Sequence, residues 1–202
     1  MKLLFATGNN LKYAHMVRRL KDFSDIEVIM PKQLGININV DENGTTAEEN
    51  AIIKAKAFYD ISKIPVIAED SGLWIEKFPD EKQPGLHAKR IGGVEGLTDE
   101  QILDYYISEI TKLGGESNAM YKTGVAIIDK NGKLFSTQID EEPFLLTNKN
   151  NNKPIISGGV LDCVSIDPLS NKYFNELTDE DKNNRYKKID DAIKDIVKQH
   201  LL

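Results

Sequence analysis

Cysteine is nearly missing from this chain of 202 residues. Cys163 stands alone, which excludes an intramolecular disulfide and a thiolate zinc cage. Long apolar runs are missing too: no stretch approaches the roughly 20 residues of a bilayer-crossing helix. Residues 1–8 are too short for a secretory leader before they run into a polar turn. A reducing cytoplasm is the setting that these absences predict. Basic charge is not in excess either. The formal net charge of −6 excludes a broad basic face for polymeric nucleic acid. It leaves room for a small polyanion held by a few lysines, a helix N-terminus and a metal ion. Repeats and linkers are also absent. With 40% apolar and 29% charged residues, the composition is that of a soluble globular protein. Residues 1–202 read as a single α/β domain with two lobes.

What is present concentrates in residues 46–72. Thr46 with Glu49 three positions later is a capping box. The helix behind it places Ala47, Ala51, Ala55, Phe58 and Tyr59 on one face. Pro65-Val66-Ile67-Ala68 then reads as an inner strand ending in Glu69 and Asp70, with Leu73-Trp74-Ile75 continuing beyond a break at Ser71-Gly72. Adjacent carboxylates after an apolar strand are costly to desolvate unless they are paired, hydrated or holding a metal. Glu49 has two readings: a cap with no further role, or a metal ligand leaning toward Glu69 and Asp70.

Upstream, Lys2-Leu3-Leu4-Phe5-Ala6 suits a buried strand, and Thr7-Gly8-Asn9-Asn10 supplies turn and N-cap residues. A helix follows to about Leu20, with Leu11, Ala14, Val17 and Leu20 at helical spacing. Strand, glycine turn and helix start are the parts of an anion cradle, with Lys12 in reach of the same anion. The alternative is an ordinary connection with a solvated lysine, because the loop lacks the spacing of a Walker motif.

The remaining pattern completes an α/β alternation. A strand at 26–30 stops at Pro31, and a polar loop over 32–45 carries the turn signal Asn43-Gly44. Residues 76–97 form an irregular excursion in which His87 reads as a surface residue. Thr98-Asp99-Glu100-Gln101 opens a helix with Ile102, Tyr105, Tyr106, Ile110 and Leu113 inward, closed by Gly114-Gly115. Residues 120–128 and 133–139 predict a hairpin. Residues 148–153 are an Asn/Lys-rich loop. Residues 155–162 predict a strand broken at Gly158-Gly159, and a final amphipathic helix starts near Arg185.

Three separated segments carry a resemblance: Phe5-Ala6-Thr7-Gly8-Asn9-Asn10-Leu11-Lys12, then Thr46-Ala47-Glu48-Glu49-Asn50-Ala51-Ile52-Ile53-Lys54-Ala55, then Pro65-Val66-Ile67-Ala68-Glu69-Asp70-Ser71-Gly72-Leu73. Their order and spacing resemble the inosine triphosphate pyrophosphatase family. Those enzymes hydrolyse non-standard purine nucleoside triphosphates, such as those of inosine and xanthosine, to the monophosphate and pyrophosphate. The resemblance implies a long twisted mixed central sheet flanked by helices, two lobes with a substrate cleft between them, and a homodimer. It implies Mg²⁺ on Glu49 and Asp70, with Asp70, Lys12 and Glu69 catalytic, although the family commonly has Asp where Glu69 stands. It places Thr7, Gly8, Asn9, Asn10, Lys12 and Ser71 on the substrate, joined by Asp162, Lys182, Asn184 and Arg185 from the second half.

That second half departs from the pattern. Gly159 stands where the family has an aromatic expected to stack on the base, and Asn184 where it has a histidine expected to help read it. Base stacking contributes about 1–3 kcal/mol in nucleic-acid sites, so the departure bears on base affinity more than on phosphate chemistry. Tyr173, Phe174 and Tyr186 lie nearby in sequence as substitutes. Two alternatives follow: a pyrophosphatase shifted to another base or a modified nucleotide, and a nucleotide-binding protein without turnover.

Overall fold

Three strands and two helices at the N-terminal end set the frame in a computed structural model, which describes residues 1–94 and 96–202. Strand β1 (Lys2–Phe5) buries Leu3, Leu4 and Phe5 completely, as a strand covered on both faces must. It pairs in parallel with β2 (Glu27–Ile29) and with β3 (Val66–Ile75), in the registers Leu3 opposite Val28 and Leu4 opposite Val66. Helix α1 (Asn10–Arg19) and helix α2 (Ala47–Ser62) supply the crossovers. Helix α3 (Asp99–Lys112), β4 (Glu116–Ile128), β5 (Leu134–Asp140), β6 (Phe144–Thr147), β7 (Ser165–Asp167), β8 (Lys172–Tyr173), α4 (Asp179–Arg185) and α5 (Lys187–Leu201) follow. The sheet order is β2-β1-β3-β4-β6-β7-β8, with β5 paired to β4. The pairs β4–β6, β6–β7 and β7–β8 are antiparallel, so the sheet is mixed and open, as expected.

The chain divides into two compact units. The first comprises Met1–Ser71, Thr123–Ile139 and Ile189–Leu202; the second, Gly72–Lys122 and Asp140–Lys188. In the first unit, Ala51, Ala55 and Phe58 of α2 pack with Leu4, Ala6, Val66, Ala68 and Ala126. The alanines allow the close approach read from the sequence. Gly124 of β4 completes it, since a Cβ there would lie 2.2 Å from the Ala47 carbonyl carbon and the Glu48 nitrogen. In the second unit, Ile102, Tyr106 and Ile110 of α3 join Leu73, Ile75, Phe144, Leu146 and Phe174 in a separate core. Among the described residues no helix is long and apolar enough to cross a membrane.

Three local expectations are corrected. Ser71-Gly72 does not break β3, which runs unbroken through it. Gly72 is there for close approach: a Cβ would lie 2.6 Å from the Trp74 ring and 2.9 Å from the Gly85 carbonyl. Residues 155–162 form turns rather than a strand, with one bridge between Ile156 and Gly159 and a left-handed Gly158 at φ 91°. The strand comes three residues later, as β7. In α1 the buried positions are Met16 and Arg19, with Leu20 closing the helix, while Ala14 and Val17 face out. The irregular course of residues 76–97 holds apart from two short 3₁₀ turns, and its Glu95 lies outside the described residues.

Candidate active site

The parallel strands deliver the site. β1 stops at Phe5, opposite Ile67, whereas β3 continues, so Glu69 and Asp70 extend beyond the end of β1 where the chain turns through Thr7, Gly8 and Asn9. Open α/β sheets gather ligands at the carboxyl ends of such strands. Here a pocket of about 340 Å³ lies entirely within the first unit, and Thr7, Gly8, Asn9, Lys12, Glu42, Lys54, Glu69 and Asp70 supply its polar lining. That volume is at the lower end of small-molecule sites.

The glycine loop is built by its own side chains. Thr7 Oγ1 accepts from the Asn9 N–H at 3.1 Å. Asn9, the N-cap of α1, accepts from the Leu11 and Lys12 N–H groups at 2.8 and 3.2 Å. Gly8 is exposed, with nothing within 4 Å of an added Cβ. Lys12, in the first turn of the helix, lines the pocket together with the carboxylates. Burial pulls its pKa below the ordinary lysine value, and Glu69 is the largest influence pulling it back up.

Buried Glu69 is held by charge. Its Oε1 accepts from Arg19 Nη1 at 2.6 Å, and Arg19 Nε donates to Asp190 Oδ1 of α5 at 2.7 Å. Each of the three residues is less than 10% exposed. This is why α1 turns an arginine inward: Arg19 bridges two buried carboxylates, and Arg18 Nη2 joins it on Asp190 Oδ2 at 2.6 Å.

Asp70 is positioned from α2. Asn50, itself buried, donates through Nδ2 to Asp70 Oδ2 at 3.0 Å and accepts the Gly44 N–H at 2.8 Å. Gly44 must be glycine, since a Cβ there would meet Asn50 Oδ1 and Glu49 Cβ at 2.7 Å. Lys54, one turn further along α2, points its Nζ at Glu42 Oε1 (3.1 Å), the Glu69 carbonyl (3.2 Å) and Asp70 Oδ1 (3.8 Å).

Glu49 sits elsewhere. It is exposed, does not line the pocket, and accepts the N–H and hydroxyl of Thr45 at 2.6 and 2.8 Å, which lowers its pKa. Thr46 Oγ1 accepts the Glu49 N–H at 3.1 Å, so Thr46 is the N-cap of α2 and the Glu49 carboxylate reaches back to the residue before it. The carboxylate that joins Asp70 and Glu69 in the pocket is Glu42, in the 32–45 loop. Sequence reasoning passed over Glu42, Lys54 and Asn50. The signal was a second acid beside the Asn43-Gly44 turn, and an Asn and a Lys spaced one turn apart on α2. Among the described residues no three carboxylates, histidines or cysteines form a ready-made metal cage.

Ser71, at the edge of the first unit, shares a 2.9 Å hydrogen bond with Thr123 Oγ1. Asn10 is exposed and its Oδ1 accepts from Lys32 Nζ at 3.3 Å. The second unit holds the other expected substrate residues. Asp162 is only partly accessible there. Burial raises its pKa from 3.8 to about 7 against the opposing pull of Lys182 and Lys89. Asn184 is exposed on α4. Arg185 is 3% exposed, donates to the Glu142 and Pro143 carbonyls at 2.7 and 3.1 Å, and lies over the Phe144 and Phe174 rings. Phe174 is core, whereas Tyr173 is half-buried and its hydroxyl donates to the Lys149 carbonyl.

A mixed α/β sheet whose parallel strands end at a pocket lined by carboxylates and lysines defines an α/β protein with a charged pocket in its first unit. The chain belongs to the Ham1 family, whose profile matches residues 3–198. It is 33% identical over 201 residues to a dITP/XTP pyrophosphatase of Leptospira interrogans, covering 96% of this chain and 97% of that protein. It is likewise 33% identical over 186 residues to the dITP/XTP pyrophosphatase of Treponema denticola, covering 91% and 90%. The fold is that of the Staphylococcus aureus Ham1 protein (TM-score 0.72, 22% identity, 98% of this chain and 99% of that one) and of a HAM1 protein from Coxiella burnetii (TM-score 0.73, 21% identity, the same coverage).

Proposed function

We propose that this chain is a nucleoside triphosphate pyrophosphohydrolase acting on non-standard purine nucleoside triphosphates, dITP, ITP and XTP among them. The observation that carries the reading is the near full-length match to dITP/XTP pyrophosphatases, in a chain whose pocket sets Lys12 and Lys54 against Glu42, Glu69 and Asp70. In this reading the triphosphate enters over Thr7, Gly8, Asn9 and Asn10, and Lys12 neutralises phosphate charge. Asp70, oriented by Asn50, accepts the proton of the attacking water. The water oxygen bonds to the α-phosphorus, the bond to the bridging oxygen breaks, and pyrophosphate leaves.

The donor set fits a hard divalent cation. A lysine nitrogen already sits between Glu42 and Asp70, which marks the point where their negative charge converges. Mg²⁺ usually takes one or two carboxylates, keeps several waters and completes its shell with substrate phosphates, so no three-acid cage is required. Glu42 and Asp70 would hold it, in place of the expected pair of Glu49 and Asp70. When bound it supplies charge neutralisation of the departing pyrophosphate. A reducing cytoplasm and a homodimer complete the proposal.

The test is a substrate panel: kcat/KM for dITP, ITP and XTP against ATP, GTP and pyrimidine triphosphates. Inosine and xanthosine substrates should be preferred by at least about tenfold, of the order that base-edge hydrogen bonding provides. A preference confined to another base would place the chain among shifted pyrophosphatases, consistent with Gly159 and Asn184. Binding without release would make it a nucleotide sensor.

A further inference from the structure

Lys54 stands in an unusual place for a lysine that only caps charge. Its nitrogen meets three oxygens from two parts of the first unit: Glu42 in the 32–45 loop, and Asp70 with the Glu69 carbonyl in β3. The lysine and Asp70 side chains are only 14% and 15% exposed, so the attraction is screened less than on the surface. A monovalent cation therefore occupies the oxygens assigned above to the divalent one. Two cations cannot share those oxygens at contact distance.

We infer that Lys54 is a placeholder cation: it neutralises Glu42 and Asp70 while the metal is out, and swings to the triphosphate when metal and nucleotide enter together. The inference rests on the proposed reading of the site and deepens it. A lysine side chain has the reach and rotamer freedom for such a move, and Lys54 is already in the pocket wall with Lys12. Metal alone has to evict Lys54 and gains only carboxylate contacts. Metal with nucleotide evicts the same lysine but offers it phosphate oxygens. Metal and nucleotide therefore assist each other's binding, reciprocally as linkage demands, and the carboxylates are not left uncompensated between turnovers.

The test uses the whole chain and two titrations without turnover. Mg²⁺ alone is titrated calorimetrically into wild type, Lys54→Met and Glu42→Gln. An α,β-methylene purine nucleoside triphosphate is titrated into the same proteins in chelator. Lys54→Met should bind Mg²⁺ alone about tenfold more tightly than wild type, the size of one lost competing interaction of about 1.4 kcal/mol. It should bind the metal-free analogue more weakly. Glu42→Gln should weaken Mg²⁺. A merely structural lysine would move both affinities of the Met variant in the same direction, and unchanged or weaker Mg²⁺ binding in a folded Lys54→Met protein overturns the inference. Lys54→Gln, closer in size and polarity, repeats the test should the Met variant fold poorly. Failure of the broader reading shows separately, as wild-type protein releasing no pyrophosphate from any triphosphate.

Discussion

At the residue scale, three polar side chains have removals with distinct signatures. Asp70→Asn keeps the shape and removes the proton acceptor, so steady-state kcat should fall by about two or more orders of magnitude with the melting temperature nearly unchanged. Arg19→Met should act through stability, because it takes the guanidinium from buried Glu69 and leaves Asp190 with Arg18 alone. Breaking such a pair costs about 3–5 kcal/mol, measurable by urea denaturation. Asp162 gives a pH signature. Its native pKa, raised from 3.8 to about 7, keeps the proton on in the folded state where the unfolded chain has released it. Its contribution is therefore fully present below the unfolded value and is lost as pH rises through about 7. Thermal melts at pH 5 and pH 8 should differ less in Asp162→Asn than in wild type.

At the scale of elements, the start of α2 packs directly on Gly124 of β4. Gly124→Ala drives a methyl into the start of α2, and overpacking of this kind costs about 1–3 kcal/mol. Because α2 also carries Asn50 and Lys54, the variant should lose activity beyond its stability loss, with kcat measured well below its melting temperature as the check. The helices were legible in the sequence because their caps are local: Thr46, Thr98 and Asn9 mark starts that the structure keeps within a residue or two. β1, β2 and the hairpin were legible for the same reason. β6 and α4 were not, being a strand of four residues and a helix of seven whose burial is set by distant partners. The site was half legible. Asp70, Lys12 and the Thr7 loop announce themselves by sitting at strand ends. Glu49 and Glu42 are equally acidic in the sequence, and only the path of the 32–45 loop decides which one reaches the pocket. Arg19 could not be foreseen as a buried counter-charge to Glu69, fifty positions away.

At the scale of the whole molecule, the account joins one family membership to one reaction. The Thr7 loop, Lys12, Lys54, Glu42 and Asp70 gather in a single pocket of the first unit, and Asp162 and Lys182 lie in the second, together with Gly159 and Asn184. Phosphate chemistry is thus expected to be kept even where base preference has moved. The most direct measurement is ³¹P NMR of the products after incubation of dITP with the protein and Mg²⁺. The account predicts the nucleoside monophosphate and pyrophosphate in equal amounts. Nucleoside diphosphate with orthophosphate would contradict it, because cleavage would then lie at the terminal phosphate.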